Sequence, residues 1–317
     1  MKALVTGGAG FIGSNIALAL AEQGISVTIL DNFSSSNFRN LDGIYADVIG
    51  KDITEVRWEE LPRFDVIFHE QAITDTTVSD QKWMLEQNVE SFRSLLKFVI
   101  QKKIPLVYAS SAGVYGNGEP PQTESKHLFP LNIYGFSKLQ MDQLAQTTFK
   151  ETKSPITGLR YFNVFGLREQ FKQKAASMIY QLAEQMRAGN QPRIFEFGEQ
   201  ERDHICVKDV VLANLCAWKA ERNGIYNVGT GKPTSFNRLI EILNNILGTN
   251  LKPSYFKNPY SFYQNHTQAD TRLAQKVIRF QAKWSIEDGI RDYLSDLYSL
   301  SKSHKAAKQS KKTPAKV

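Results

Sequence analysis
Seven residues into the chain, a glycine-rich turn breaks an otherwise regular pattern: Gly7-Gly8-Ala9-Gly10-Phe11-Ile12-Gly13. Residues 2–6 before it form a short apolar, β-branched run that reads as a strand, and the apolar spacing after it, through Ala21, reads as a helix. That order sets backbone N–H groups and the positive end of a helix macrodipole where an anion can sit. The spacing Gly7-x-x-Gly10-x-x-Gly13 lets backbone approach a pyrophosphate. A second strand is expected over residues 25–30. It ends at Asp31, 18 residues beyond Gly13, where an acid accepts hydrogen bonds from an adenosine ribose. The three signals together point to dinucleotide binding.

Further strands are expected over 65–69, 104–109 and 154–159, with helical patterning between them, as at 82–101. Alternating strand and helix predicts an α/β fold, a Rossmann-type doubly wound parallel sheet. A helix is expected over 174–188, within a region that also carries Pro192, Pro233, Pro253 and Pro259. Segments 206–219 and 224–228 are expected to return to the main sheet. The predicted organisation is a nucleotide-binding domain of residues 1–165 plus about 204–230. A smaller C-terminal mixed α/β substrate domain takes about 166–203 and 231–300, and 301–317 is a disordered lysine-rich tail.

Charge and cysteine usage narrow the function classes. The 317 residues carry a net charge of +7, but the last 17 hold six Lys and no Asp or Glu, leaving about +1 for the rest. A Lys/Ala/Ser/Gln tail cannot bury enough apolar surface to order itself, so no nucleic-acid partner is expected. No apolar run approaches the roughly 18–20 residues of a membrane span. A signal peptide would have to overlap the opening strand and glycine turn, so none is expected. Cys206 and Cys216 have neither disulfide nor zinc spacing. The expectation is a cytoplasmic enzyme without a metal.

Chemistry concentrates further along. Residues 107–116 put Ser110 and Ser111 at the C-terminal end of an expected strand, the edge where open α/β sheets bind ligands. Tyr134 and Lys138 follow Ser111 by 23 and 27 residues, at the expected start of a helix. Four residues apart on a helix means one face, with about 5–6 Å between Cβ atoms. A lysine ammonium beside a cationic nicotinamide lowers a phenol from its reference near 10. The phenolate can then remove a hydroxyl proton as hydride leaves the same carbon, and the Ser111 hydroxyl can hold the reacting oxygen.

Residues 6–13, Asp31-Asn32, Ser110-Ser111, Tyr134-x3-Lys138 and Arg160-Tyr161-Phe162-Asn163-Val164-Phe165-Gly166 together resemble the extended short-chain dehydrogenase/reductase superfamily, over residues 1 to about 300. Members that dehydrate sugar nucleotides carry an acid just after the catalytic Ser or Thr. Here those positions are Ala112 and Gly113, so epimerisation or simple redox is favoured. A narrower resemblance rests on His69-Glu70-Gln71-Ala72, Thr74-Asp75-Thr76-Thr77, Leu131-Asn132-Ile133-Tyr134-Gly135, Phe171-Lys172 and Thr267-Gln268-Ala269-Asp270. These are similar to the ADP-glyceromanno-heptose 6-epimerases of lipopolysaccharide biosynthesis. That family oxidises C6″ with tightly bound NADP and returns hydride to the opposite face, which needs two acid/base groups.

By this resemblance the two groups are Tyr134 and Lys172. Gly7, Gly10, Phe11, Ile12, Gly13, Asp31, Asn32, Asn37, Lys51, Glu70, Gln71, Ala72, Ile73, Thr74, Asn88, Lys138 and Val164 would line the cofactor. Ser111, Asn163, Lys174, Gln181, Phe195, Glu196, Phe197, Gly198, Arg202 and Tyr263 would line a nucleotide-sugar substrate, with Arg202 matching a diphosphate. A homo-oligomer is implied as well. The family carries Ser where Lys174 stands and His where Gln181 stands, so Lys174 is an alternative second base. NAD remains an alternative to NADP, since Asp31 would repel a 2′-phosphate that Arg39 or Lys51 attracts. A UDP-hexose or UDP-HexNAc 4-epimerase, which needs one base, is the alternative activity. From another class, a non-catalytic NAD(P)-binding regulator is the alternative.

Overall fold
The computed structural model describes residues 1–310 except 127, 151, 153 and 260–263. Its centre is a seven-stranded, all-parallel sheet. The first six strands in the chain are β1 (Lys2–Thr6), β2 (Ser26–Leu30), β3 (Ala46–Ile49), β4 (Val66–His69), β5 (Leu106–Ser111) and β6 (Ile156–Tyr161). The order across the sheet is Gly224–Val228, β6, β5, β4, β1, β2, β3. Strand order therefore reverses between β1 and β4, the crevice where such sheets take their ligands.

Both sheet faces are buried, and the sequence shows why. Ala3, Val5, Val27, Ile29, Val66, Phe68, Val107 and Ala109 point to one core, while Leu4, Leu30, Ile67, Leu106, Tyr108 and Ile156 point to another. Apolar residues at consecutive positions with a period of two are what a parallel strand covered on both sides requires. Helix α1 (Phe11–Glu22) covers the first face with Gly13, Ile16, Ala17 and Leu20, the i, i+3, i+4, i+7 stripe of a core-facing helix. The second face is covered from a long helical segment: α2 (Gln81–Leu85), a π-helical turn at Glu86–Glu90, and α3 (Ser91–Lys102). Beside it lies α4 (Ile133–Thr148), whose N-cap Asn132 accepts from the Gly135 N–H at 2.8 Å.

One strand of this fold lies outside the sequence-based expectations. Strand β3 was not anticipated; it is a four-residue edge strand with Asp47 and Val48 exposed, too short and too polar to stand out. Segment 206–219 does return to the sheet, as a helix lying on its face. After α5 (Met178–Arg187), α6 (Val207–Ala220) packs Val210, Ala213 and Ala217 onto the α1 face of the sheet. Segment 224–228 does pair with β6, in parallel register.

A third apolar core lies beside the sheet. It joins Phe165, Ile179, Leu182, Met186 and Cys206 to α7 (Phe236–Leu247) and, beyond α8 (Arg272–Val277), to α9 (Ile286–Ser310). The backbone of 301–310 continues α9, and the remaining tail residues, 311–317, lie outside the described residues. Among the described residues no helix is long and apolar enough to cross a membrane.

Candidate active site
The glycine turn, the C-terminal ends of β1, β2, β4 and β5, and the start of α4 enclose one long cleft. Gly7 takes φ +65°, and a Cβ there would lie 2.6 Å from the Gln71 N atom. A Cβ at Gly13 would lie 2.3 Å from the Gly7 carbonyl oxygen. Only glycines let the turn pack so tightly on itself and on the segment that follows β4. The N-cap of α1 is Gly10, with no side-chain cap. The first-turn amides of the helix are thus left for an external acceptor such as a phosphate.

At the far end of the same turn, the Asp31 carboxylate accepts from the Ala9 N–H at 3.0 Å, the Phe33 N–H at 2.8 Å and the Ser36 hydroxyl at 2.8 Å. Asn32 donates to Asp52 at 2.7 Å. These residues, with Ser34, Ser35, Lys51 and Ile53, form the ribose end of the cleft. A glycine cradle, an uncapped helix start and an oriented acid are the fittings of a dinucleotide, so the residues present suit a nicotinamide cofactor. Unpartnered buried acceptors along the wall, Glu70 Oε2, Gln71 Oε1 and the Ser110 Oγ, are consistent with a polar occupant.

At the other end stand Ser111, Tyr134, Lys138 and Lys172, all lining the cleft. Ser111 closes β5 and caps the short helical turn after it, accepting from the Gly113 N–H at 3.0 Å. Its hydroxyl also hydrogen-bonds Tyr134, which favours the phenolate, but burial comes first and raises the phenol above its ordinary range. The sequence reading has Lys138 lowering the phenol. In the protein without cofactor, burial outweighs any such pull, and the nearby Glu70 raises the phenol further. A bound cationic ring would act in the opposite direction. Lys138 is 1 % exposed and its ammonium donates to the Ala109 carbonyl at 2.7 Å, which anchors α4 to β5.

A buried ion pair fixes the same helix from behind. Asp142, one turn after Lys138, accepts from Arg160 Nε at 2.8 Å and from the Tyr108 hydroxyl at 3.0 Å. Arg160 also donates to the Tyr115 hydroxyl at 3.0 Å and the Glu124 carbonyl at 2.8 Å. The network ties β5, α4 and β6 together directly beneath the Tyr134–Lys138 face.

Lys172 arrives from the loop between β6 and α5. Buried Glu169 organises that loop, accepting from the Gly166 N–H at 3.0 Å and from the Ser177 N–H at 2.6 Å. Two contacts fasten it to the nucleotide-binding turn. Asn15 of α1 donates to the Leu167 carbonyl at 3.0 Å, and Arg168 donates to the carbonyls of Asn40 and Asp42. The Lys172 ammonium lies 5.7 Å from the centroid of the Phe11 ring, a cation–π distance. Burial lowers its pKa, and Glu169 opposes that shift.

Most of the cofactor residues expected from sequence meet here: Gly7, Gly10, Phe11, Ile12, Gly13, Asp31, Asn32, Lys51, Glu70 through Thr74, Lys138 and Val164. Two stand back from the cleft. Asn37 caps the turn at Phe38–Leu41 by accepting from the Arg39 N–H. Asn88, in the π-helical turn, clasps Ile73 through both its N–H (2.8 Å) and its carbonyl (3.1 Å), shaping the wall rather than lining it. Of the two candidate lysines, Lys172 lines the cleft and Lys174 is exposed.

The described substrate residues other than Ser111 lie outside this lining. Gln181 donates to the carbonyls of Lys174 and Ala176. Asn163 donates toward Thr267 and the Asp203 carbonyl, beside Arg202. Phe195, Glu196, Phe197 and Gly198 form a turn whose Gly198 carbonyl accepts from the Asn237 N–H at 3.0 Å. Tyr263 lies outside the described residues. The cleft also recruits Ser34, Ser35, Ser36, Gln87, Tyr161, Phe162 and Ala175, to which the sequence reading gave no role. The serine run directly after Asp31-Asn32 was the available signal. Among the described residues no cluster could hold a metal ion.

Comparison with known proteins places this geometry. Residues 3–229 match the model of the NAD dependent epimerase/dehydratase family. An ADP-L-glycero-D-manno-heptose-6-epimerase of Brachyspira hyodysenteriae is 37% identical over 307 residues, covering 92% of this chain and 96% of that one. The crystal structure of the Helicobacter pylori ADP-L-glycero-D-manno-heptose-6-epimerase superposes with a TM-score of 0.88 at 40% identity, covering 94% of this chain and 96% of that one. A UDP-N-acetylglucosamine 4-epimerase from Methanobrevibacter ruminantium superposes with a TM-score of 0.89 at 29% identity, covering 94% and 98%. The shared fold agrees with these matches, and the chain belongs to the NAD dependent epimerase/dehydratase family.

Proposed function
We propose that this protein is a sugar-nucleotide epimerase that inverts C6″ of ADP-D-glycero-D-manno-heptose to give the L-glycero epimer. One observation carries the reading: Tyr134 and Lys172, two groups able to exchange protons, line a single cleft together with Ser111 and Lys138. Inversion of a carbinol carbon needs proton exchange on both faces. Tyr134, aided by Lys138, takes the hydroxyl proton on one face, with Ser111 holding the oxygen. When bound, the nicotinamide supplies reversible hydride transfer, so the carbon passes through a ketone. Lys172 gives a proton to the ketone oxygen in the opposite orientation, and the lowering of its pKa by burial suits it to that exchange. Ala112 and Gly113 offer no acid to expel a neighbouring hydroxyl, which argues against dehydration.

NADP is the cofactor in this reading. Lys51 lines the ribose end beside Ser34, Ser35 and Ser36, and the Asp31 carboxylate is already engaged by three donors, which blunts its repulsion of a 2′-phosphate. The same reading has a cytoplasmic homo-oligomer. A UDP-hexose 4-epimerase, which turns its ketone over in the site, needs only the Ser111–Tyr134–Lys138 set and would leave Lys172 idle.

Incubating the purified enzyme with ADP-heptose and with several UDP-sugars, each deuterated at the reacting carbon, and following inversion by NMR decides between them. Turnover of ADP-heptose that collapses in Lys172→Met is expected. Inversion of a UDP-sugar alone, or full turnover in that variant, would overturn the assignment.

A further inference from the structure
One carboxyl in the cleft has no task in the chemistry above. Glu70 follows β4 and lines the cleft with Tyr134 and Lys138, its backbone N–H donating to the Thr6 carbonyl at 3.0 Å. Its Oε1 accepts from the Tyr161 hydroxyl at 2.9 Å, and its Oε2 is buried without a partner. The direction of the first bond is fixed from behind. Asn214 Nδ2 donates to the Val210 carbonyl at 2.9 Å and to the Tyr161 hydroxyl oxygen at 2.8 Å. A backbone carbonyl only accepts, so the amide must present its NH2 there. Tyr161 therefore receives from Asn214, and its single proton points at Glu70. Every dipole in the chain Asn214–Tyr161–Glu70 favours a negative Glu70.

Lys138 supplies the complementary need. It is buried, and its ammonium has a carbonyl as partner rather than an acid. Two carboxylates bear on it, Glu70 and Asp142. Asp142 is already held by Arg160 and Tyr108, whereas Glu70 has an oxygen, Oε2, without a partner. We propose that Glu70 is a positioning residue for the catalytic pair: its charge, oriented by Tyr161 and Asn214, keeps the Lys138 ammonium charged, and the two groups exchange protons as one unit beside Tyr134.

Burial raises the Glu70 carboxyl and lowers the Lys138 ammonium, and each charge opposes the other's shift. The groups around Glu70 are Thr6 from β1, Tyr161 from β6 with Asn214 of α6 behind it, and Tyr134 and Lys138 from α4. On its own strand, His69 shares a hydrogen bond with the Thr6 hydroxyl at 2.8 Å and is held neutral by burial. Lys172 has Glu169 as its charge neighbour.

The inference rests on reading Tyr134 as the acid/base, and the test separates the two. In the full-length protein labelled with 13C at lysine Cε, Glu70→Gln is expected to lower the Lys138 titration midpoint by about one pH unit or more. Tyr161→Phe, which removes only the bond that supports the charge, moves it the same way by less, and Glu70→Asp keeps it near the native value. In kcat/KM the loss of negative charge lowers the pKa of Tyr134 as well as that of Lys138, so both limbs of the pH profile move to lower pH. NADPH fluorescence on binding reports that the cleft is intact. An unmoved Lys138 midpoint in both Glu70→Gln and Tyr161→Phe, or reduced turnover with unmoved limbs, would overturn the role. The lysine titration needs no sugar, so a moved midpoint in a protein inactive on ADP-heptose sinks the proposed substrate and leaves Glu70 standing.

Discussion

Replacing Asp142 by Ala isolates what the buried network contributes to holding the catalytic helix. Asp142 and Arg160 are each 1% exposed and meet at 2.8 Å. Removing the carboxylate leaves the Arg160 guanidinium with only neutral partners, and an uncompensated buried charge costs about 3–5 kcal/mol. The Tyr108 hydroxyl loses its acceptor too, a further penalty of about 1–3 kcal/mol. The two losses overlap in space, so the expected destabilisation is about 4–6 kcal/mol, a large share of the ~5–15 kcal/mol by which folded proteins are stable. With an unfolding entropy of about 2.1 cal/mol/K per residue, that corresponds to a Tm lowered by about 6–9 °C. Urea unfolding followed by far-UV circular dichroism measures it, with the midpoint falling and the slope unchanged. Asp142→Ala/Arg160→Met supplies the control: removing both charges should recover a good part of the stability, because the stranded cation is then gone. A loss below about 1 kcal/mol in the single variant, or a double variant no better than it, would refute the argument.

Three further outcomes follow from the geometry. Gly13→Ala sets a Cβ against the Gly7 carbonyl oxygen and must open the turn, so NADPH affinity by fluorescence titration is expected to drop about tenfold or more; undiminished binding would contradict the cradle. Tyr134→Phe should abolish turnover while leaving NADPH binding in place, and residual epimerisation near the native rate would remove the phenol from the chemistry. The His204 ring is buried with neither nitrogen partnered, and burial pushes its pKa down to about 3. Below its ordinary value near 6.5, the unfolded chain binds a proton that the folded one refuses. Stability from this group is therefore complete above pH 6.5 and declines toward acid by about 1.4 kcal/mol per pH unit. His204→Phe should flatten the fall of the urea midpoint between pH 7 and 5, and identical pH slopes for the two proteins would refute it.

The nucleotide-binding half was legible because its signals are local. The glycine spacing, the strand before it and Asp31 after it sit within one βαβ unit, and buried parallel strands leave continuous apolar runs. The short edge strand β3 left no such run. What sequence could not reveal are pairings across distance. Nothing local pairs Asp142 with Arg160 until α4 and β6 bring them together, and Glu70 meets Tyr161 across 91 residues. Lys172 likewise looks solvated among Phe171, Gln173 and Lys174. Only the docking of its loop on α1 turns it into the cleft.

That docking has a consequence for how such an enzyme can change. Asn15, Arg168 and the Phe11 ring hold the Lys172 loop to the nucleotide-binding turn, while Glu169 with Ser177 and Gln181 with the Lys174 carbonyl tie the same loop to α5 and the third core. Under the function proposed above, Tyr134 rides on α4 while Lys172 sits on a bridge between the nucleotide-binding turn and the third core. Substitutions in α5 would therefore reach the spacing between the two groups as directly as substitutions in α1.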